Sequence, residues 1–375
     1  MTYVLDYEKG ITNTGNLKRL KELMKRAQAG EKLVIGFIGG SITQGSLSSS
    51  PELCYAYRIF SWWEKTFPKA AFTYVNAGIG GTTSQFGVAR VEADLLSHKP
   101  DFVLVEFSVN DESNEHFMET YEGLVRRIYK SETSPAMLIA HNVRYDNGAN
   151  AQLVHAKIVR RYELPCVSMQ SSIYPELLAG RIENREITPD DLHPNDKGHE
   201  LVASVISFFL NRVLASIDEP DCPSFDDTGD FPSPETVNSY EHSFRYDNRN
   251  CIPVMNGFVR DTAAQNGITD CFKNGWYAIK KGDSIIFDVE GQGISVQYRR
   301  SVLKPAPIAR VTVDKDYENS VYLDANFDED WGDKLELQTI TEHTAYGRYK
   351  VQIEITESND CQVPFYIASI IEARS

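Results

Sequence analysis

Residues 32–45 read KLVIGFIGGSITQG, and this stretch decides the fold of the first part of the chain. A short apolar run that ends in glycine is typical of a strand buried on both faces. The glycines that follow allow a sharp turn, which brings Ser41 to the carboxyl end of that strand. The segment also fits a glycine-rich turn in which Ser41 is a helix N-cap, and the phosphate-loop pattern GxxxxGK[ST] is absent.

The same signal returns along the first two thirds of the chain. Further apolar runs lie at residues 74–76, 101–107, 136–140 and 166–168. Helical patterns alternate with them and cover residues 16–29, 51–67, 84–97, 115–129, 149–162 and 195–214. Strands that alternate with helices need crossover connections, so we predict an α/β fold with a flavodoxin-like, doubly wound parallel sheet. Ligands of such a sheet collect at the carboxyl ends of its strands.

The composition changes after residue 214. Residues 216–235 contain four prolines and many acids, which predicts a linker. Beyond it, short apolar runs separated by turn signals predict a β-sandwich. These runs lie at residues 284–289, 294–298, 309–313, 321–323, 335–339, 349–355 and 363–371. We therefore predict an α/β domain at residues 1–215, a linker at 216–235 and a β-sandwich at 236–375.

The charge balance limits the choice of partner. The 375 residues carry 38 Lys and Arg against 53 Asp and Glu, a formal charge of −15. Binding of nucleic acid needs clustered positive charge, so nucleic acid is disfavoured as the main partner. No apolar run is long enough to span a membrane, and residues 1–20 lack the pattern of a secretory signal. We expect a cytoplasmic protein.

The cysteines show no CxxC spacing, so we expect reduced thiols and no metal site. They are Cys54, Cys166, Cys222, Cys251, Cys271 and Cys361.

Three further segments place polar groups at predicted strand ends. Residues 76–84 (NAGIGGTTS) could present a bare backbone N–H to a ligand, and the side chain of Asn110 in SVND could donate an amide hydrogen bond. In DDLHPN, His193 follows Asp190 by three residues, so the carboxylate can hold one ring nitrogen while the other faces outward as a base. Each segment alone also fits a turn or a helix cap.

Together, the four segments supply the groups that acyl transfer needs: a nucleophile, a base, an orienting acid and an oxyanion hole. The pattern resembles the SGNH (GDSL-like) hydrolase superfamily over roughly residues 30–214. Ser41 matches the serine of block I, Gly81 the glycine of block II and Asn110 the asparagine of block III. Asp190 and His193 match the DxxH of block V.

The resemblance implies a serine esterase. His193 would take the proton of Ser41, which attacks an ester carbonyl, and water would then hydrolyse the acyl-enzyme. The backbone N–H groups of Ser41 and Gly81 and the side-chain amide of Asn110 would hold the oxyanion. Asp190 would orient His193. No metal or organic cofactor is needed.

Several residues stay open at this point. Gly40 stands where many members of the superfamily carry Asp, and Asp191 is an alternative to Asp190. We assign Gly40, His141 and Trp331 to substrate binding, although His141 could equally be a polar strand-end residue. Flat aromatic faces such as that of Trp331 suit sugar rings. The acidic turn at residues 328–333 could bind Ca²⁺ or be a solvated charged turn.

The order of the two predicted domains is similar to that of bacterial carbohydrate esterases. The likeness is greatest to mannan O-acetylesterases of carbohydrate esterase family 17, whose second module resembles carbohydrate-binding module family 35. It implies removal of acetyl groups, mainly 2-O on mannose, from oligosaccharides. The alternatives are a lipid esterase or thioesterase of the same superfamily and a catalytically inactive carbohydrate-binding protein. The polysaccharide, the acetyl position and the oligomeric state, with a homodimer as one option, stay open.

Overall fold

The segment at residues 32–45 forms a strand followed by a helical turn. In the computed structural model, which describes residues 5–221 and 223–375, the strand covers Lys32–Gly39 and the helix Ser41–Gln44. The chain divides into two units, the first extending through Asn238 and the second from Ser239 to Ser375.

The first unit, within its described residues, has one sheet of six strands. They are β1 (Ile11–Asn13), β2 (Lys32–Gly39), β3 (Ala71–Gly78), β4 (Phe102–Glu106), β5 (Ala136–His141) and β6 (Cys166–Ser168). Their spatial order is β1-β6-β5-β4-β2-β3, and every neighbouring pair is parallel except β1 with β6. From β2 to β6, the order is the flavodoxin-like one. The predicted fold class is confirmed, although the sequence analysis missed the short antiparallel strand β1.

This strand order creates a crevice at one edge of the sheet. The chain runs from β2 to β3 on one side and then returns to β4 on the other side, so the order reverses between β2 and β4. Ligands of doubly wound sheets bind at such a switch point, outside the carboxyl ends of the strands. Gly39 pairs with Glu106 at the end of the β2–β4 ladder, so Ser41 and Asn110 follow neighbouring strand ends.

Helices cover both faces of the sheet. Those in the described part of the first unit are α1 (Lys18–Ala29), α2 (Ser41–Gln44), α3 (Tyr55–Thr66), α4 (Ser84–Asp94), α5 (Glu115–Tyr129), α6 (Gln152–Arg161), α7 (Met169–Ser172), α8 (Tyr174–Leu178), α9 (Asn184–Ile187), α10 (Asp196–Ala215) and α11 (Phe225–Thr228). Helices α1, α3 and α10 share one apolar core with the sheet, whereas α4, α5 and α6 pack side by side elsewhere on it.

The helix ends follow from local sequence. Gly30 ends α1 in the left-handed conformation, with φ 89°, which glycine adopts without steric cost. Asn114 caps α5, and Asn195 caps α10 by accepting from the N–H groups of Lys197 and Gly198. Asn195 lies two residues after His193, so this cap fixes where the loop that carries His193 ends and α10 begins.

The second unit is a β-sandwich, as predicted. Its strands are β7 (Phe244–Tyr246), β8 (Val254–Asn256), β9 (Val259–Arg260), β10 (Trp276–Ala278), β11 (Ser284–Gly291), β12 (Gly293–Arg300), β13 (Ile308–Val313), β14 (Val321–Asp324), β15 (Lys334–Thr341), β16 (Gly347–Glu357) and β17 (Phe365–Ala373). One sheet has the order β15-β12-β17-β10-β9, with β7 beside β17, and the other has the order β14-β13-β16-β11-β8. The two sheets share one apolar core, in which the rings of Trp276 and Phe287 meet edge to face.

Strands β7 to β10 were not predicted from the sequence. Each has only two or three residues, which is too short to show an alternating pattern. Strands β7 and β10 pair with the long strand β17, β8 pairs with the long strand β11, and β9 pairs with β10. Tertiary contacts therefore define these four strands.

Of the cysteines that the structure describes, Cys54, Cys166, Cys251 and Cys361 are free thiols. Cys54 and Cys166 are buried, and Cys251, Cys271 and Cys361 are partly exposed. Cys222 and the first four residues lie outside the described residues.

The described residues of the predicted linker, 216–221 and 223–235, belong to the first unit and contact its helices. Asp226 accepts two hydrogen bonds from the guanidinium of Arg19, at 2.8 and 2.9 Å, and one from the Tyr129 hydroxyl at 2.7 Å. The division between the units falls at Asn238, beyond the predicted linker. The predicted β-sandwich begins at residue 236 and the second unit at Ser239. The stretch contacts the helices through its acids and through the rings of Phe225 and Phe231, which lie 5.4 Å from that of Tyr129. Its composition, with few apolar residues, did not indicate this packing.

Glu122 on α5 holds the end of this stretch. Its buried carboxylate accepts from the backbone N–H of Glu235 at 2.7 Å and of Thr236 at 2.8 Å. We predict that Glu122→Gln lowers the free energy of unfolding by about 1–3 kcal/mol, because a buried charge-assisted acceptor is lost. Urea unfolding measures the loss, and limited proteolysis should cut within residues 216–238 sooner. Glu115→Gln, on the exposed face of the same helix, is the matched control. Equal stability of the two variants would contradict the prediction.

Candidate active site

Ser41, His193 and Asp190 form one chain of hydrogen bonds. The Nε2 atom of His193 lies 2.8 Å from the Oγ atom of Ser41, and its Nδ1 atom lies 2.6 Å from the Oδ2 atom of Asp190. A carboxylate only accepts, so the proton of the imidazole lies on Nδ1, and Nε2 is left to accept from the serine hydroxyl. The imidazole is thus oriented as a base toward the hydroxyl.

The structure separates the roles of Asp190 and Asp191. The Oδ1 atom of Asp190 accepts from the backbone N–H groups of Leu192 at 3.0 Å and His193 at 2.7 Å. Burial acts to raise the pKa of Asp190, but the hydrogen bonds from His193 and Leu192 outweigh it and hold the pKa below its usual value. Asp190 therefore stays ionised beside the imidazole.

Asp191 faces away from the imidazole. Its backbone has φ 67°, and its carboxylate pairs with the guanidinium of Arg185 at 2.8 Å and with the amide of Asn184. Asp190 is thus the carboxylate that contacts His193 in this structure.

The backbone N–H groups of Ser41 and Gly81 have no hydrogen-bond partner in the described residues. The N–H of Ser41 belongs to the first residue of α2, and such residues have no acceptor within their helix. Gly81 has φ 67°, and its N–H donates to no atom in residues 5–221 and 223–375. The N–H of the neighbouring Gly80 is already taken by the side-chain oxygen of Gln44, at 2.6 Å. Of these two glycines, Gly81 is therefore the one with a donor to offer.

Asn110 lies directly against the backbone of Gly40. A Cβ atom added to Gly40 would lie 2.1 Å from the Oδ1 atom of Asn110, which is too close for any side chain. In this structure, a side chain at position 40 would displace the Asn110 amide. Gly40 was predicted to bind substrate, and the structure shows that it makes room for the Asn110 amide.

Two residues that the sequence analysis did not assign hold the loop of Gly81 in place. Gln44 holds Gly80, as described above. The amide of Asn76 donates to the Thr43 carbonyl at 2.8 Å and accepts from the Gly78 N–H at 2.9 Å. Both residues lie within the motifs already quoted, but their contacts join two loops far apart in sequence. Only the fold brings them together.

His141 does not line the crevice. The residue is 1% exposed, and its Nδ1 atom lies 3.4 Å from the Sγ atom of Cys166. Burial, together with the neighbouring His155, holds the pKa of His141 well below its usual range, so the ring is neutral. The assignment of His141 to substrate binding is therefore corrected. A strand that is buried on both faces buries its last residue too.

His199 is a structural residue. Its Nδ1 atom accepts from the Tyr55 N–H and its Nε2 atom faces the Ser46 carbonyl, both at 3.2 Å. Burial lowers the pKa of His199 to about 4, so it stays neutral and joins α10 to the loop after the nucleophile.

In the second unit, Trp331 is an exposed aromatic residue. It is 58% exposed, and its ring meets Phe327 edge to face. The acids of its turn have other partners: Asp328 pairs with Lys304, Glu329 accepts from the Trp331 ring, and Asp333 accepts from Ser301. These contacts favour a charged turn over a Ca²⁺ site.

No group of three or more His, Cys, Asp or Glu side chains in the described residues could hold a metal ion. Within residues 5–221 and 223–375, no helix has the length and apolar content needed to cross a bilayer.

Comparison with known proteins places this site in a family. Residues 37–201 match the GDSL-like lipase/acylhydrolase family. A solved structure of a two-domain esterase active on acetylated mannans, co-crystallised with mannopentaose, is 63% identical, with a TM-score of 0.95. The alignment covers 100% of this chain and 99% of that chain. The chain belongs to the GDSL-like hydrolase family.

More distant relatives of this GDSL-like hydrolase cover less of it. Thioesterase 1/protease 1/lysophospholipase L1 of Escherichia coli is 27% identical over 199 residues, which are 50% of this chain and 88% of that protein. The acetylxylan esterase of Geobacillus stearothermophilus is 29% identical over 126 residues, which are 28% of this chain and 56% of that protein. The family match and the 63% identical esterase make the chain a carboxylic ester hydrolase, as the sequence analysis predicted.

The contact between Gly40 and Asn110 predicts a specific defect. In Gly40→Ala, the added methyl group should push the Asn110 amide out of the oxyanion hole, since the end of a side chain moves more easily than the backbone. We expect kcat on p-nitrophenyl acetate to fall about 10²–10³-fold, the cost of one oxyanion donor. The thermal midpoint should change little.

Asn110→Ala supplies the control. If both changes remove the same donor, the double variant Gly40→Ala/Asn110→Ala should be no slower than Asn110→Ala alone. Losses that multiply would show that Gly40 acts by another route.

Glu106 at the end of β4 predicts how stability depends on pH. Burial raises its pKa to about 7, although the hydroxyl and N–H of Ser108 donate to it and act in the opposite direction. The unfolded carboxyl has its ordinary pKa of 4.5, so the folded protein holds an extra proton between about pH 4.5 and 7. Its stabilising contribution is complete below that window and is lost as the pH rises through it.

Glu106→Gln has no such proton to lose. We expect the stability of this variant relative to the wild type to rise by about 2–3 kcal/mol between pH 5 and pH 8, measured by urea unfolding. The exposed Glu64→Gln is the control. A difference between Glu106→Gln and wild type that does not change with pH would contradict the burial of an ionisable carboxyl here.

Proposed function

We propose that the protein removes acetyl groups from mannan-type oligosaccharides. One observation carries the proposal: the esterase active on acetylated mannans matches this chain at 63% identity over both units. Enzymes of one fold differ in substrate mainly through the loops around the sheet and through added domains. The alignment with the mannan esterase covers both the loops and the second unit of this chain.

The geometry supports a two-step acyl transfer. His193 takes the proton of Ser41 as its Oγ atom attacks the acetyl carbonyl, and the developing oxyanion accepts from Ser41 N–H, Gly81 N–H and the Asn110 amide. The protonated His193 then gives its proton to the sugar oxygen, which leaves as an alcohol. Water, deprotonated by His193, attacks the acetyl-enzyme. The bond between the Ser41 Oγ atom and the acyl carbon breaks, His193 returns the proton to Ser41, and acetate leaves. Asp190 holds the imidazole and stabilises its charged form.

The alternatives have less support. The thioesterase and lysophospholipase of Escherichia coli is 27% identical and aligns with half of the chain, which leaves the β-sandwich without a counterpart. An inactive binding protein would have no need for a serine hydroxyl 2.8 Å from an imidazole that a carboxylate orients. Trp331, exposed on the β-sandwich, offers the kind of aromatic face on which sugar rings stack.

Mass spectrometry of acetylated oligosaccharides tests the proposal. We expect the wild type to remove acetyl groups from mannan oligosaccharides faster than from xylan oligosaccharides, and to prefer p-nitrophenyl acetate to the octanoate. Ser41→Ala should lose turnover while staying folded. Asp190→Asn should lower kcat by about 10³–10⁴-fold, because the imidazole loses the acceptor that sets its tautomer.

Asp191→Asn is the matched control, since its carboxylate contacts Arg185 and not His193. It should retain wild-type turnover. Faster cleavage of the octanoate would favour a lipid esterase, and faster cleavage of xylan acetyl groups would overturn mannan as the substrate. Wild-type turnover by Ser41→Ala would overturn the mechanism.

A further inference from the structure

A second carboxylate–imidazole pair lies behind the catalytic one. The Oδ2 atom of Asp111 is 3.0 Å from the Nε2 atom of His155, and both side chains are 0% exposed. Neither side chain reaches the solvent, so neither can touch a substrate. The pair therefore takes no direct part in the proposed acyl transfer. It can act on the reaction through the backbone segments that its hydrogen bonds connect.

Asp111 joins two parts of the oxyanion hole. It follows Asn110 directly, and its Oδ1 atom accepts from the backbone N–H of Ser84 at 2.8 Å. Ser84 is the first residue of α4 and comes three residues after Gly81. One carboxylate therefore connects the turn that carries the Asn110 amide with the loop that carries the Gly81 N–H.

The bond to Ser84 also replaces a helix cap. Thr83, at the N-cap position of α4, makes no capping hydrogen bond with its side chain. A carboxylate at the start of a helix satisfies an unpaired N–H and interacts favourably with the helix dipole. Asp111 does this from a different strand end, so the start of α4 depends on the position of β4.

His155 fixes Asp111 in turn. Its ring stacks on that of Tyr121, with centroids 3.7 Å apart and an 8° angle between the planes. Its Nδ1 atom has no hydrogen-bond partner in the described residues. The tautomer with its proton on Nε2 therefore lets His155 donate a hydrogen bond to the Asp111 carboxylate. Just before α6, the Ala151 N–H also donates to the Ser108 carbonyl at 2.7 Å. The turn before α5 is thus held from α6 at two points.

We propose that Asp111 and His155 are positioning residues, which set the oxyanion hole by holding Asn110 and the loop of Gly81 at a constant separation. Loss of the His155 hydrogen bond frees the Asp111 carboxylate to rotate and releases both donors together. The loss affects the transition state more than the bound substrate, because the oxyanion forms only in the transition state. The inference rests on the proposed catalytic mechanism, but it does not depend on mannan as the substrate.

The variant His155→Phe tests this directly. Phenylalanine keeps the stack on Tyr121 and removes the donor to Asp111. With p-nitrophenyl acetate, we expect kcat per active site to fall by about one to two orders of magnitude at an unchanged KM. The number of active sites is taken from the end point of organophosphonate labelling of Ser41, so misfolded protein does not count.

Two further variants separate positioning from packing. His155→Gln keeps an N–H donor and should recover most of the lost kcat. Tyr121→Phe keeps the stacked ring and removes only a hydroxyl that has no partner in the described residues, so it should match the wild type. If His155→Phe does not fold, Asp111→Asn carries the test, since the one amide oxygen cannot accept from both the Ser84 N–H and His155 Nε2. It should show the same kcat loss at constant KM.

A double-variant cycle decides whether the pair acts through the oxyanion hole. In an Asn110→Ala background, His155→Phe should cost much less than in the wild type, because one of the donors that it positions is already gone. Independent losses, or a lower thermal midpoint with wild-type kcat per site, would overturn the inference. A wild type that does not hydrolyse p-nitrophenyl acetate would instead count against the proposed mechanism.

Discussion

The active site depends on a backbone contact between the nucleophile-bearing helix α2 and the end of strand β3. A Cβ atom on Gly78 would lie 2.3 Å from the backbone nitrogen of Gln44 and 2.6 Å from the carbonyl carbon of Thr43. No side chain fits at such distances, so glycine is the residue that lets α2 lie there. The contact brings Ser41 and the loop of Gly81 to the same point, above the reversal of strand order between β2 and β4.

The site contains the pair Asp190 and His193, and the pair Asp111 and His155 lies next to it in the fold. The two pairs differ in burial and therefore in function. The imidazole side chain of His193 is 22% exposed and its Nε2 atom reaches the serine, so it can exchange protons with substrate and water. The ring of His155 is buried and stacks on that of Tyr121, and its Nε2 atom forms a hydrogen bond with Asp111. A carboxylate–imidazole pair that is closed to solvent and substrate can hold a geometry but cannot transfer a proton out of the protein.

The larger elements were predictable because each carries its own pattern. Strand β2 was predicted at residues 32–38 and is Lys32–Gly39, and α5 was predicted and found at residues 115–129. Strand β9, with two residues, has no pattern of its own and exists through its pairing with β10. The stretch at residues 216–235 looked like a linker, because its acids dock on partners that lie more than 90 residues away in sequence.

The sequence by itself determined the doubly wound sheet, the β-sandwich and the chemical groups of the site. These properties follow from local spacing: apolar runs alternate with helical patterns, and the strands before the segments of Ser41 and Gly81 both end in glycine. The tertiary structure alone decided which neighbours those groups have. It distinguished Asp190 from Asp191, buried His141, set Gly40 against Asn110 and joined Asp111 to His155. The physical reason is that a hydrogen bond or a steric contact requires two atoms to lie at the right distance to within a few tenths of an ångström. The residues that carry these atoms are far apart in sequence, so the fold sets that distance.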